Sequence, residues 1–552
     1  MASLRTIGHQ WFGSPAACIR VCLAAFVLSL PRRFSLSTKF YHTSVPPSRP
    51  SGPSMDPPTK SIYCLPVEML SLIFKLAVYQ RIVRPIPQLH LKHKCKKRPK
   101  EARNPTLLHI THVCVLWRDT AINDSSLWSH IDFASPQRTL VFLERARASS
   151  LRVSLNTPRL SSNFIEATGV FCGNKNIQGL ELDADFRTIS STVSHMQKAS
   201  FRAPRLRMLS ICSAECFYDV ETALAFFVEI VPEVQMLKLM HCKITWPSEI
   251  FGGLRQLQII HSPLMCSIRD FADLLSQMLN LTHLEVNASL PRTASHLYYP
   301  QKSTFKLASL EYLYVGDTAQ AVAQFICSVQ LPEIIDVLLA ATANDSPQPY
   351  VFAIARRLAD LFDPASSPDR ANMRLTEGPN RLRFQLQGSG HVARNAGLVI
   401  LANRSLHPLL APVAEIMAIP QLSYFCCDIT SFSAEDWLLA FGHLENLRKI
   451  QLPRNALTSL MVALFLMRNN GDGTTGISFP ALQTIVVAKD QRRTTSTSNL
   501  AALAPQTLSY RATKFDAPIS LICQRVSDSD PFLDYLKTEN VPHVELPYVF
   551  TM

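Results

Sequence analysis

The sequence has little glycine and lacks the short motifs of the common nucleotide and zinc enzymes. It contains 17 Gly against 37 Pro in 552 residues, and this scarcity disfavours folds built on glycine-rich phosphate loops. Neither G-x-x-x-x-G-K-[ST], nor G-x-G-x-x-G, nor H-E-x-x-H occurs. No nucleophile, base or acid has a recognisable local signature either, so we expect no catalytic residue and no cofactor.

Acidic residues are absent before Asp56, although this N-terminal region is rich in Arg, Ser and Ala. Its apolar run, residues 21–30, is too short to span a bilayer. The composition is typical of a mitochondrial presequence, and the alternatives are a disordered tail or a leader before an internal start at Met55. Residues 44–60 read as a Pro/Ser linker. We therefore assign residues 1–60 to a tail, linker or targeting segment.

The net charge of +13 is concentrated in two segments. Residues 1–60 and 81–103 together hold 16 Lys and Arg against two acids, and the remaining chain holds 39 against 40. A nucleic-acid-binding body is expected to be basic over a face of its fold, so we expect neither a nucleic-acid nor a membrane partner. The 14 Cys are scattered, many in apolar segments, which favours reduced thiols in a cytoplasmic or nuclear protein.

The segment "LPVEMLSLIFKLA", residues 65–77, has more apolar surface than one helix face can hold. At 100° per residue it forms two stripes. The first stripe contains Leu65, Met69, Leu72 and Leu76; the second stripe contains Leu70, Ile73, Phe74 and Ala77. A surface helix needs only one such stripe. A small helical module cannot cover both, so a partner protein is expected to cover one of them.

A second helix is predicted from about Thr106 to Ile122, followed by a capped short turn that holds Leu127 and Trp128. With the first helix, the motifs "LPVEMLSLIFKLA" and "ITHVCVLWRDTAINDSSLWSHI" resemble the F-box, in its divergent, often fungal form with a loop between the two helices. The resemblance covers about an eighth of the chain, residues 61–135, with a basic loop at 81–104. It implies docking on a Skp-family adaptor and, through it, on a cullin. The adaptor-binding residues it implies are Leu65, Pro66, Leu70, Ile73, Phe74, Val113, Trp117 and Trp128.

From about residue 175 an apolar-x-x-apolar-x-apolar unit recurs ten times, at intervals of about 20 to 29 residues. Helical stretches such as "IRDFADLLSQML" lie between the units. Cys242 and Asn455 occupy the place of the small polar residue that follows the strand in leucine-rich repeats. The sequence therefore predicts an α/β repeat over residues 136–552, a ragged leucine-rich-repeat solenoid with parallel strands on the concave face, helices outside, and an insertion around 340–420.

The resemblance to an F-box followed by leucine-rich repeats implies the substrate-recognition subunit of a cullin-type ubiquitin ligase. The target protein itself cannot be identified from the sequence. Its contact residues are expected among non-consensus strand positions, and we select Lys238, Glu285, Lys449 and Gln451. The alternatives are a scaffolding repeat protein that acts outside ubiquitination and a mitochondrial protein.

Two further motifs are weaker. His90, His93 and Cys95, and again His109, His112 and Cys114, have the spacing of metal half-sites, but zinc needs four converging ligands and we predict no metal. The basic run 92–103 suits a nuclear-import signal or an acidic partner, but we interpret it as a solvated loop.

Overall fold

The residues described by the computed structural model belong to the unit that begins at Leu65. The predicted tail at 1–60 and the basic loop at 81–104 lie outside the described residues, as does the first of the two metal half-sites. The described residues are 65–79, 105–132, 136–155, 172, 176–213, 218–219, 221–230, 233–244, 253–291, 305–332, 335–343, 348–361, 371–378, 381–388, 395–402, 407–429, 431–469, 475–488, 498–515, 518–523 and 544–545.

Three helices and a 3-10 turn open the described chain and form the first helical module, residues 65–79 and 105–128. They are α1 (Val67–Tyr79), α2 (Pro105–Thr111), α3 (Val115–Asn123) and the turn Ser125–Trp128. The single helix expected from Thr106 to Ile122 is interrupted. Cys114 is extended and caps α3, with its Sγ accepting a hydrogen bond from the Trp117 amide. The Arg118 side chain donates to the Thr111 carbonyl at 3.0 Å, which satisfies an end group of α2.

The remainder of the unit is a mixed α/β fold around a 17-stranded, mainly parallel sheet. The strands of the main sheet are β1 (His130–Asp132), β2 (Leu151–Leu155), β3 (Ile177–Ala184), β4 (Met208–Ser213), β6 (Met236–Met240), β8 (Gln256–Ile260), β9 (His283–Asn287), β11 (Tyr312–Thr318), β13 (Asp336–Ala343), β14 (Ala371–Gly378), β15 (Arg381–Gly388), β16 (Asn395–Ala402), β17 (Leu422–Cys427), β18 (Lys449–Pro453), β21 (Thr484–Ala488), β22 (Ser520–Cys523) and β23 (Val544–Glu545). The pairings give the strand order β1-β2-β3-β4-β6-β8-β9-β11-β13-β16-β15-β14-β17-β18-β21-β22-β23. The predicted α/β class with mainly parallel strands is confirmed.

Three short pairs lie outside this sheet: β5 (Tyr218–Asp219) with β7 (Cys242–Lys243), β10 (Phe305–Lys306) with β12 (Val329–Gln330), and β19 (Met467–Asn469) with β20 (Thr475–Ile477). Ten further helices complete the described chain: α4 (Pro136–Ala146), α5 (Phe186–Lys198), α6 (Glu221–Ile230), α7 (Ile268–Gln277), α8 (Ala319–Ser328), α9 (Gln348–Asp360), α10 (His407–Met417), α11 (Ala434–Phe441), α12 (Leu457–Phe465) and α13 (Ser498–Phe515). None of the helices in the described ranges combines the length and apolarity that a membrane crossing requires.

The repeated apolar units meet in register and build the core. Leu237 pairs with Leu257, which pairs with Leu284, and Leu284 pairs with Leu313 on the next strand. All four side chains are fully buried. Side chains alternate between the two faces of a strand. The residue that follows each of these leucines on its own strand, such as Lys238 after Leu237, therefore lies on the opposite face of the sheet, which we call the open face.

Helices are started by conventional caps after the strands. Ser267 caps α7 in a reciprocal capping box with Asp270, and Ser433 does the same for α11 with Asp436. Such caps satisfy amide groups that a helix leaves unpaired at its first turn. The segments predicted as helices between the strands are α6, α7, α8 and α11.

A ladder of small polar side chains follows three neighbouring strands. The amide of Cys242 donates to Ser262 Oγ at 3.0 Å, and the amide of Ser262 donates to Ser289 Oγ at 2.8 Å. Cys242 thus occupies the position expected of it, and burial raises the pKa of its thiol to about 12. Asn455, the other predicted member, lies in the 3-10 turn Arg454–Ala456 and is exposed.

The predicted insertion around 340–420 contains three strands of the main sheet. β14, β15 and β16 form an antiparallel meander. β16 pairs with β13 and β14 pairs with β17, both in parallel. The sequence pattern there suggested loops, because a meander does not repeat the strand–helix period.

Candidate functional site

Helix α1 places its two apolar stripes on different sides. Leu70 and Phe74 of the second stripe, which we call the inner stripe, are 0% and 1% exposed. Met69 and Leu72 of the first stripe, which we call the outer stripe, are 47% and 49% exposed. Leu65, at the start of the outer stripe, is half-buried. The excess of apolar surface read from the sequence is therefore real, and the outer stripe carries it.

Aromatic packing explains why the inner stripe is buried. The ring centroids of Phe74 and Trp117 lie 5.1 Å apart. Trp128 is fully buried, donates its indole N–H to the Ala121 carbonyl at 2.7 Å and meets Phe142 edge-on at 4.9 Å. Buried indoles with a satisfied N–H and edge-to-face partners are stable core elements.

The structure places the predicted adaptor-binding residues at different depths. Leu70, Phe74 and Trp128 form the core of the module and present no surface to another molecule, because all three are at most 1% exposed. Ile73 and Trp117 are half-buried. Pro66 and Val113 are exposed, as a contact role requires. The sequence could not decide between the stripes because both are equally apolar.

Exposed hydrophobic residues are concentrated on this module. Of the fifteen large hydrophobic side chains classed as exposed among the described residues, six lie between Val67 and Val115. They are Val67, Met69, Leu72, Leu108, Val113 and Val115. Single exposed hydrophobic residues are ordinary on protein surfaces, but a concentration of them marks an interaction site.

Asp124 fixes α1 to the turn that follows α3. Its carboxylate accepts hydrogen bonds from the Ser71 hydroxyl and from the amide and hydroxyl of Ser126, and it lies 3.1 Å from Lys75 Nζ. Burial raises the pKa of Asp124, but the hydrogen bonds from Ser126, Ser71 and Lys75 outweigh burial and leave it below the ordinary value. Since Ser71 and Lys75 belong to α1, Asp124 sets the orientation in which the outer stripe faces away from the core.

The four residues predicted to contact a target lie on the open face of the sheet. Lys238 on β6 and Glu285 on β9 occupy the same register row, two strands apart with Gln258 between them. Lys449 and Gln451 lie on β18 in a different part of the sheet, where Gln451 accepts a hydrogen bond from Tyr424 at 2.6 Å. Lys449 Nζ lies 5.5 Å from the centre of the Tyr424 ring.

Glu285 has an unusual environment for a carboxylate. Its Oε1 is buried and has no hydrogen-bond partner among the described residues. Burial raises its pKa, and the charge of Lys238 opposes this effect. The neighbouring Tyr312 and Tyr314 also have raised pKa values, first through burial and then through the charge of Glu285.

The structure describes only the second of the two metal half-sites. His109 and His112 are exposed, and the Cys114 thiol serves as the cap of α3. Within the described ranges, no three His, Cys, Asp or Glu side chains converge in a way that could hold a metal ion.

Sequence reasoning missed two features of these surfaces. The ladder residues Ser262 and Ser289 follow their strands at the same offset as Cys242, but serine was not part of the pattern used. The apolar cluster on the open face, formed by Tyr314, Ala340, Val399 and Leu401, involves a meander that the repeat period does not reveal.

No protein-family model matches the chain, and a search of curated proteins found no relative.

Proposed function

We propose that the chain is the substrate-recognition subunit of a cullin-type ubiquitin ligase. In this proposal the first helical module is an F-box that docks a Skp-family adaptor, and the sheet is a leucine-rich-repeat domain that holds a target protein. The observation that carries the proposal is the exposed outer stripe of α1, in a module whose sequence resembles the F-box.

The energetics favour a protein partner for this stripe. Fully burying a Leu or Met side chain stabilises a protein by roughly 1.5–3 kcal/mol. Met69 and Leu72 gain only about half of that within the chain, because about half of each side chain remains exposed. An apolar groove on a partner recovers the rest, as in other complexes where an amphipathic helix lies in a groove.

The sheet supports a binding role for the second part of the chain. Neighbouring strands are in register, with Leu and Ile side chains buried on one face and a mixture of polar side chains and methionines on the other. Repeat domains of this kind use one extended face for protein recognition. Ubiquitin transfer itself would be performed by other subunits, so the proposal assigns no catalytic residue to this chain.

Affinity purification of the tagged chain, with and without proteasome inhibition, tests the proposal. The adaptor and a cullin are expected to co-purify with the wild-type protein and to be lost together in the variant Met69→Asp/Leu72→Asp. A matched control is Leu279→Asp, because Leu279 is also exposed but lies far along the chain, after α7. Absence of the adaptor from the wild-type purification, or its retention by the double variant, would contradict the proposal.

A further inference from the structure

Charged side chains of opposite sign are concentrated on different parts of the open face of the sheet. On β2 to β13 it carries four acids against two bases: Glu181, Asp183, Glu285 and Asp336 against Arg152 and Lys238. Because Arg152 pairs with Glu181 at 3.0 Å, Asp183, Glu285 and Asp336 supply the acidic character of this part. From β14 to β18 it carries four bases and one acid: Arg374, Arg381, Arg383 and Lys449, with Asp428 at the end of β17.

An apolar cluster separates the two charged parts. Tyr314, Ala340, Val399 and Leu401 are buried together, and the partly exposed Tyr312 and Leu338 pack against them. These residues lie on β11, β13 and β16, and the register places Tyr314 beside Leu338 and Ala340 beside Val399. Tyr312 and Leu338 are therefore the apolar side chains that this part of the face offers to a ligand.

Each charged part contains a polar atom with no partner. Glu285 Oε1 on the acidic side and Arg383 Nε on the basic side are both buried without a hydrogen bond. Buried charged groups are normally paired. Both side chains are only partly buried, so the exposed remainder of each carboxylate or guanidinium can receive a complementary charge from a bound molecule.

We propose that the open face binds an extended segment of a target protein that carries a basic residue, an apolar residue and an acidic residue in that spatial order. The basic side chain pairs with Glu285, the apolar one rests on Tyr312 and Leu338, and the acidic one pairs with Arg383. This inference rests on the proposed function and specifies the chemistry of the target.

The register fixes the spacing of the charges in such a segment. Four strand-to-strand steps lead from β9 through β11, β13 and β16 to β15. At about 4.8 Å per step this is roughly 19 Å, which an extended chain covers in about six residues. A uniform polyanion such as RNA does not fit, because the acidic part of the face repels it.

Peptide selection on the full chain tests this inference. A random peptide library of about twelve residues, displayed on phage, is panned against the wild-type protein. Enriched peptides are expected to carry Lys or Arg about six residues from Asp or Glu, with an apolar residue between them. Enrichment without this charge pattern, or no enrichment over an unrelated protein, would overturn the inference.

Charge reversal at either end makes the test specific. Glu285→Lys is expected to select peptides that are acidic at both ends and to weaken the wild-type peptide about tenfold or more, measured by fluorescence anisotropy. Arg383→Glu is expected to select peptides that are basic at both ends. Selection of the wild-type pattern by both variants would contradict the assignment. Thermal unfolding of each variant verifies that the protein is folded.

Two charge-reversal variants on the helices test whether peptides are selected by the charges of the open face or by the net charge of the protein. Arg187 on α5 and Glu435 on α11 are both exposed, and Arg187→Glu with Glu435→Lys is expected to leave the selected pattern unchanged. Co-purification of the adaptor is scored in the same variants and is expected to be unaffected. If peptides with the expected charge pattern are selected but the adaptor does not bind, the ligase role is contradicted and this inference stands. If the adaptor binds but the selected peptides lack the charge pattern, this inference is contradicted and the ligase role stands.

Discussion

Replacing Met69 and Leu72 by glutamine is expected to weaken adaptor binding without unfolding the protein. Both side chains are about half exposed, so docking covers the remaining half, worth about 0.7–1.5 kcal/mol for each. Together they contribute about 1.5–3 kcal/mol, which corresponds to a dissociation constant roughly 10- to 150-fold higher in the double variant. Glutamine is a good helix former of similar size, so α1 is retained.

Calorimetric titration of the purified chain with a Skp-family adaptor measures this change, and thermal unfolding of the free chain provides the control. The variant is expected to keep the wild-type unfolding temperature, since substitutions at exposed positions have small effects on stability. Leu70→Ala is the contrasting variant, because Leu70 is fully buried and its truncation is expected to cost about 2–5 kcal/mol of folding stability. An unchanged dissociation constant in the double variant would refute the assignment of the outer stripe.

Three further predictions concern stability. Asp124→Ala removes the acceptor that holds α1 and is expected to lower the free energy of unfolding by about 2 kcal/mol. Because the pKa of Asp124 is lowered from 3.8, the greater stability of the wild-type protein is lost as pH falls below that value. Thermal unfolding at several pH values measures this loss. Glu285→Gln is expected to raise the unfolding temperature at neutral pH. The pKa of Glu285 is raised from 4.5 by burial, so its ionisation destabilises the fold as pH rises through the raised pKa. The difference in unfolding temperature between the variant and the wild-type protein should vanish below pH 4.5, where Glu285 is protonated in both the folded and the unfolded state. Ser262→Ala leaves the buried amide of Cys242 without its acceptor and is expected to cost about 1–3 kcal/mol in denaturant unfolding, whereas a neutral result would show that the ladder bond is dispensable.

The regular part of the fold could be predicted because its period is visible in the sequence. Leu237, Leu257 and Leu284 recur at the spacing of one strand per unit, and the structure pairs them in register. The three strands of residues 371–402 escaped prediction, since their pairing depends on a meander whose partners lie in two different neighbouring units.

The sequence predicted how much apolar surface α1 carries, but it did not predict which of the two stripes is exposed. The sequence of α1 shows that it carries two apolar stripes, and only tertiary packing decides which one is buried. The contact of Phe74 with Trp117 and the bonds from Ser71 and Lys75 to Asp124 make that decision. All of them join residues distant in the sequence, where periodicity contains no information.

The central claim is that the outer stripe of α1 is covered by a partner, and site-specific photo-crosslinking measures this most directly. A photoreactive phenylalanine analogue placed at Leu72 in the full chain is expected to form a crosslink to the Skp-family adaptor. The same analogue at the exposed control position Leu279 is expected to form none. If position 72 yields no adaptor crosslink in a sample where adaptor is present, or if position 279 yields an equal amount, the docking account is contradicted.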